Sequence, residues 1–290
     1  MYLAAAGAMA GVYPNILQAS ISQDSAHLAQ LLAGAPPRHT VASGSTLLHI
    51  AATHGRLPVV QALLEAKADP NARASEGTTP LHCACHGGHA PVAALLLASG
   101  AKSGTQNALG ISPLHLAAWD GHEDTARTLL EAGSAVDVQN GEGHAPLHCA
   151  AAHGHCQVAS LLLQHGATAD MADRDGDTAL HVAVAAGLAD MTRLLARHGA
   201  SVRTLNGDGM QPLHLAAEAG DCAVIGALLD AGAELDAGGP MGYTALHMAA
   251  RAGHRQAVEL LKHRGCSVTA VNAMGNTYEE VGRQASATQT

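Results

Sequence analysis

The chain has 290 residues, is 48% hydrophobic but only 2% aromatic, contains no phenylalanine, and carries a formal net charge of −9 with histidines neutral. This balance argues against a nucleic-acid partner, because phosphate binding needs clustered Lys and Arg. No stretch approaches the uninterrupted apolar length of a membrane span, so membrane insertion is not expected.

Residues 1–14 are small, apolar and rich in Ala and Gly, lack the basic start of a secretory signal, and read as a disordered leader. Over 15–40 a repeat is blurred: Ile16 stands where later copies have histidine, while Leu28, Leu31 and Leu32 still sketch a second helix. This is the composition of a degenerate N-terminal capping repeat. Over 41–273 the pattern becomes strict, with His49, His82, His115, His148, His181, His214 and His247 spaced 33 residues apart, each preceded by leucine and followed two positions later by alanine. A fixed period of this length means stacked modules. Residues 274–290 keep the phase at Gly275 and Thr277, but Tyr278, Glu279 and Glu280 replace the histidine phrase, leaving room for a truncated half-repeat and a tail.

The third copy shows what one period does. Ser112 can cap a helix N-terminus, and Pro113 suits its first position, having a preset φ and no amide hydrogen to leave unpaired. Leu114, His115, Ala117 and Ala118 follow at helical spacing, and Gly121 can end the helix in the left-handed conformation. A second helix through Thr125, Ala126, Leu129 and Leu130 stops at Gly133, and a turn glycine, Gly110, precedes the pair. Helix pairs this short cannot bury their apolar faces alone, so they must stack. The expected fold is an all-α repeat solenoid of seven such copies. The fifth, with Ala179 for Pro, Val184 for Ala and Ala196 for Leu, is the expected soft interior one.

The run His82, Cys83, Ala84, Cys85, His86 is dense in zinc-type ligands. The repeat assigns His82 to the motif and Cys83 and Cys85 to small apolar positions, so these side chains point to different faces and no metal is expected. Cys83 and Cys149, like Cys156 and Cys222, lie two copies apart, about 20 Å for stacked helix layers, beyond disulfide reach. Reduced thiols imply a cytoplasmic compartment, with the nucleus as the alternative. No nucleophile elbow or phosphate-cradling loop occurs, so neither catalytic residues nor cofactors are expected.

The phrase Thr79, Pro80, Leu81, His82, with Pro113, Pro146 and Pro212 in register, resembles the ankyrin-repeat family over about nine tenths of the chain. The resemblance implies turns paired as β-hairpins, helices stacked behind them, motif histidines hydrogen-bonded within and between copies, and a non-enzymatic role in protein–protein interaction. It also implies a concave groove lined by turn-tip residues and by the fourth and fifth residues after each motif histidine. In this sequence the implied partner-binding positions include Leu109, Ile111, Trp119 and Asp120, then His86, His144, His153, Met210, Met241, Tyr243 and Arg251. Leu109, Ile111 and Trp119 are expected to form one exposed apolar patch. The reading is a monomeric scaffold or adaptor that grips a partner protein. The alternative is the targeting or regulatory ankyrin portion of a larger ubiquitin-ligase substrate receptor, kinase or channel.

Overall fold

A computed structural model describes residues 44–288, so the expectations for 1–14 and 15–40 lie outside the described residues. The described residues form 15 α-helices and no named strand. They fall into two compact units, one ending at Gly141 and the other beginning at Glu142.

Unit one contains three helix pairs: α1 (Leu47–Thr53) and α2 (Leu57–Glu65), α3 (Pro80–His86) and α4 (Ala90–Ala98), α5 (Pro113–Trp119) and α6 (Glu123–Glu131). Like packs on like, with α1 against α3 against α5 and α2 against α4 against α6. Leu48, Leu81 and Leu114 are buried where first helices meet, and Val60, Leu96 and Leu129 are buried on the second helices. Each such side chain contributes about 1.5–3 kcal/mol by leaving water, which a seven-residue helix needs in order to persist. The flanking alanines, such as Ala51, Ala84 and Ala117, have no exposed surface.

The motif histidine ties each helix start to the following turn. At α3, Thr79 adopts an extended conformation before Pro80. Its amide donates to His82 Nδ1 at 3.2 Å and its hydroxyl lies 2.8 Å from the same nitrogen. Nδ1 is therefore the acceptor, and the Nε2–H donates to the Ile111 carbonyl at 3.0 Å. His49 does the same between Thr46 and the carbonyl of Thr78. The arrangement uses a neutral ring, and burial lowers the pKa of His49 and pushes that of His82 down to about 4.

In the second and third copies a second histidine ties backward. His89 Nε2 donates to the Thr53 carbonyl at 3.0 Å and His122 Nε2 to the His86 carbonyl at 3.1 Å. The rings lie flat on the helix-ending glycines: a Cβ on Gly88, whose φ is +71°, would come within 2.6 Å of His122. Lys67, which replaces a helix-ending glycine in the sequence pattern, nonetheless adopts φ 65°, at a cost of about 1 kcal/mol for a residue with a Cβ.

Unit two contains α7 (Pro146–Ala152), α8 (Cys156–Gln164), α9 (Ala179–Ala185), α10 (Ala189–Arg197), α11 (Pro212–Ala219), α12 (Cys222–Asp230), α13 (Ala245–Arg251), α14 (Arg255–His263) and α15 (Tyr278–Thr288). It repeats the same packing, and α15 lies against α13. The α15 start is capped by Glu280, whose Oε2 accepts from the Thr277 amide at 2.7 Å and hydroxyl at 3.0 Å.

The turns are tighter than the hairpins implied by the resemblance. The described residues show an isolated antiparallel bridge, Ala172 with Thr178, in place of named strands. Each turn closes over five residues, as from the Asn107 amide to the Ile111 carbonyl at 3.0 Å, too short a span for a ladder to develop. Successive turns are joined through their tips: the Glu76 carbonyl accepts from Ala108 at 2.7 Å and the Leu109 carbonyl from Gly141 at 2.8 Å.

Candidate partner-binding surface

In unit one the surface is built around the turn at Gly110. Asn107 Oδ1 accepts from the amides of Leu109 and Ile111, both at 3.0 Å, and so fixes the tip without help from the Leu109 side chain. Gly110 has φ +74°, and a Cβ there would lie 2.6 Å from the Gly141 nitrogen, so both the conformation and the close approach require glycine. Leu109 is left 60% exposed, and Trp119, at the end of α5, is 49% exposed. Ile111 is half-buried, its carbonyl taken by His82. Two apolar side chains of the expected patch are thus presented outward, while the third contributes only part of its surface.

Asp120 follows Trp119 and is occupied by His86, whose Nδ1 is 2.7 Å from Asp120 Oδ2. These two predicted contact residues therefore meet each other and hold the ends of α3 and α5 together beside the tryptophan. The cysteine- and histidine-rich run separates as its repeat positions require, with His82 bonded to Ile111, Cys85 wholly buried and His86 on Asp120.

In unit two the predicted positions have mixed fates. His144 sits between carboxylates, its Nε2 3.2 Å from Asp173 Oδ2 and its Nδ1 3.5 Å from Glu142 Oε2. His153 uses Nδ1–H to donate to the Cys149 carbonyl at 3.1 Å, closing the end of α7, and its ring stacks on His155 at 6.0 Å. Met210 departs from the expectation of exposure: it is 8% exposed and belongs to the core. Its place, one residue after the turn glycine, is half in and half out of the stack, so an unbranched apolar chain folds inward where a polar one stays out. Tyr243 and Arg251 come together, the guanidinium 5.5 Å from the ring centroid, and Arg251 reaches Glu218 at 2.5 Å. Met241 is 57% exposed at its turn tip.

Sequence reasoning missed Met274, which is 63% exposed. It precedes Gly275 as Met241 precedes Gly242, so the tip rule applied to the truncated last copy would have found it. Leu205 and Val271, 54% and 53% exposed, share a position four before their turn glycines that the rule does not cover.

The family profile described as ankyrin repeats (3 copies) matches residues 16–107, 48–140, 114–206 and 194–272. Among solved structures, the crystal structure of the human ASB11 ankyrin repeat domain is similar, with a TM-score of 0.67 and 32% sequence identity, over 74% of this chain and 96% of that one. No curated protein matches.

Proposed function

The chain belongs to the ankyrin-repeat family, whose repeats are general protein–protein interaction modules, and on that premise we propose that it is a non-enzymatic scaffold or adaptor gripping a partner through its turn tips and first-helix ends. The observation that carries this reading is the outward presentation of Leu109 and Trp119 on backbone held by its own hydrogen bonds. Large apolar side chains exposed at a position the fold does not need are costly unless covered, and tryptophan is enriched among residues whose loss most damages binding. The preformed tip adds little ordering cost on association.

Affinity capture with the parent chain and with Trp119→Ala, followed by titration of the recovered partner, tests the proposal. The variant should keep its helical signal and bind at least about tenfold more weakly. A verified partner with equal affinity for both chains removes this surface from the reading. The six cysteines, none in a disulfide, support a reducing cytoplasmic or nuclear setting. The same surface would serve an ankyrin portion of a larger protein, a reading favoured by likeness to a structure itself described as a domain. Transcripts extending past Thr290 decide between the two.

A further inference from the structure

One junction in unit two is built unlike the others. Elsewhere in the unit each turn tip is bonded to the next turn: the Glu142 carbonyl accepts from Arg174 at 3.2 Å, Asp175 from Gly207 at 2.8 Å and Met241 from Ala273 at 2.9 Å. At Asp208 the residue in the donating position is Pro240, which has no N–H.

The turn itself also differs. Asp173, Asn206 and Asn272 each close their turns through Oδ1, which accepts two backbone amides. The equivalent position is Gly239, which has no such acceptor. The chain there forms a short 3-10 turn, Pro240–Gly242, with Met241 at φ 53°, a conformation unfavourable for a residue with a Cβ.

The histidine strut is altered as well. His148, His181 and His247 donate to the carbonyls of Asp177, Met210 and Asn276, each 29 residues onward. His214 reverses the order of its two carbonyl partners: Ala237, 23 residues onward, is the nearer at 2.9 Å and Tyr243, 29 onward, the lesser, whereas at His148 and His181 the carbonyls 23 onward, Met171 and Thr204, are the lesser. Its ring rests on Gly239, where a Cβ would lie 3.0 Å from Nε2. The threonine that caps α9 and α13 is replaced before α11 by Gln211, whose Oε1 is buried without a hydrogen-bond partner.

Across this junction the helices still pack, α11 on α13 and α12 on α14. The backward tie from His254 to the Glu218 carbonyl also remains, at 2.9 Å. Of the charged links, Arg251 to Glu218 and Arg264 to Asp230 are exposed and contribute little.

We propose that the turn at 238–242 is a hinge, at which α13, α14 and α15 open together as one body while α7–α12 stay folded. Two turn-level bonds found elsewhere in the unit, the tip bond and the side-chain closure of the turn, are absent at this one place, and the histidine strut leans from Tyr243 toward Ala237. Stacked repeats open at their weakest interface, so the missing bonds set where cooperativity breaks. Opening would bare the apolar face of α11 and α12 that the last helices cover.

Native-state hydrogen exchange on the full chain at low denaturant tests this without any ligand, so its outcome is independent of the partner reading. Amides of α13–α15 should share one opening equilibrium, at least about tenfold more populated than that of α7–α10. Pro240→Ala restores the missing N–H, as at Ala108 and Ala273, and leaves Gly239 and the His214 ring that rests on it untouched. The change raises unfolded-chain entropy, which opposes stability, so a fall in the open population reports the restored bond. Gln211→Thr, a change outside the turn, should act in the same direction. Ordinary end fraying would instead give protection rising residue by residue inward and unmoved by either variant. That pattern overturns the proposal, as does exchange of α13–α15 in step with α7–α10.

Discussion

Replacing His82 by glutamine should flatten the acid sensitivity of unit one by a calculable amount. In the folded chain burial holds this imidazole at about 4 against an ordinary value of 6.5, with Arg73, His49 and His115 adding repulsion. The unfolded chain therefore takes up a proton first, and stability contributed by the neutral ring is fully present above about pH 6.5 and drains away as pH falls toward about 4. The full separation is worth on the order of 3 kcal/mol, of which about 1.3 kcal/mol is lost between pH 7.5 and pH 5.5.

Glutamine can still donate toward the Ile111 carbonyl but does not titrate. At pH 7.5 the His82→Gln chain should be less stable by about 1–3 kcal/mol, because the Thr79 amide loses its acceptor. The gap should then narrow by about 1.3 kcal/mol at pH 5.5, since only the parent loses that contribution. Urea unfolding followed by fluorescence of the single tryptophan, Trp119 on the neighbouring α5, reads both numbers. Protonation of the other buried histidines is common to both chains and subtracts. Equal losses on acidification would mean that His82 is not a neutral strut, and the account of the helix starts would fall with it.

Two further outcomes follow from burial. Leu129, wholly enclosed on α6, should cost roughly 2.7–5 kcal/mol when changed to alanine, read as a lower urea midpoint at unchanged slope. Thiol labelling at pH 8 should spare Cys85 and Cys149 in the folded chain, since burial pushes Cys149 to about 12 and Cys85 higher still. Cys83, Cys156 and Cys222, which keep part of their surface, should react before them, and mass analysis of the labelled peptides gives the order.

The fold was legible because its causes are local and recur. Proline, leucine, histidine and glycine at fixed offsets specify where a helix begins, what it buries and where it ends, and α3 and α5 begin and end where those letters place them. The hairpins were less legible: pairing depends on how many residues separate turn from helix, and the span supports only single bonds between tips. At the surface, exposure of Leu109 could be inferred because the turn is held by backbone and by the Asn107 and Gln106 side chains, with no part for the Leu109 side chain. Met210 misled, because its position is decided by the side chain it happens to carry. The pairing of His86 with Asp120 was hidden because it joins residues 34 apart whose individual types are unremarkable. The fifth copy departs from the pattern at three letters, yet keeps Ala179 and Val184 buried and His181 bonded to Met210. The absent donor at Pro240 was legible as a single letter, but its acceptor, the Asp208 tip, was not.

A copy that carries both histidines, such as the one with His82 and His89, is tolerant of changes in the number of copies around it. In unit one the first histidine reaches the following turn 29 residues on, and the second reaches the preceding helix 36 residues back. Duplicating or losing a whole 33-residue segment by recombination hands each such donor a new acceptor of the same kind at the same offset. Gene-level lengthening and shortening of such a protein is therefore structurally cheap, whereas an insertion of any other size breaks both connections at once.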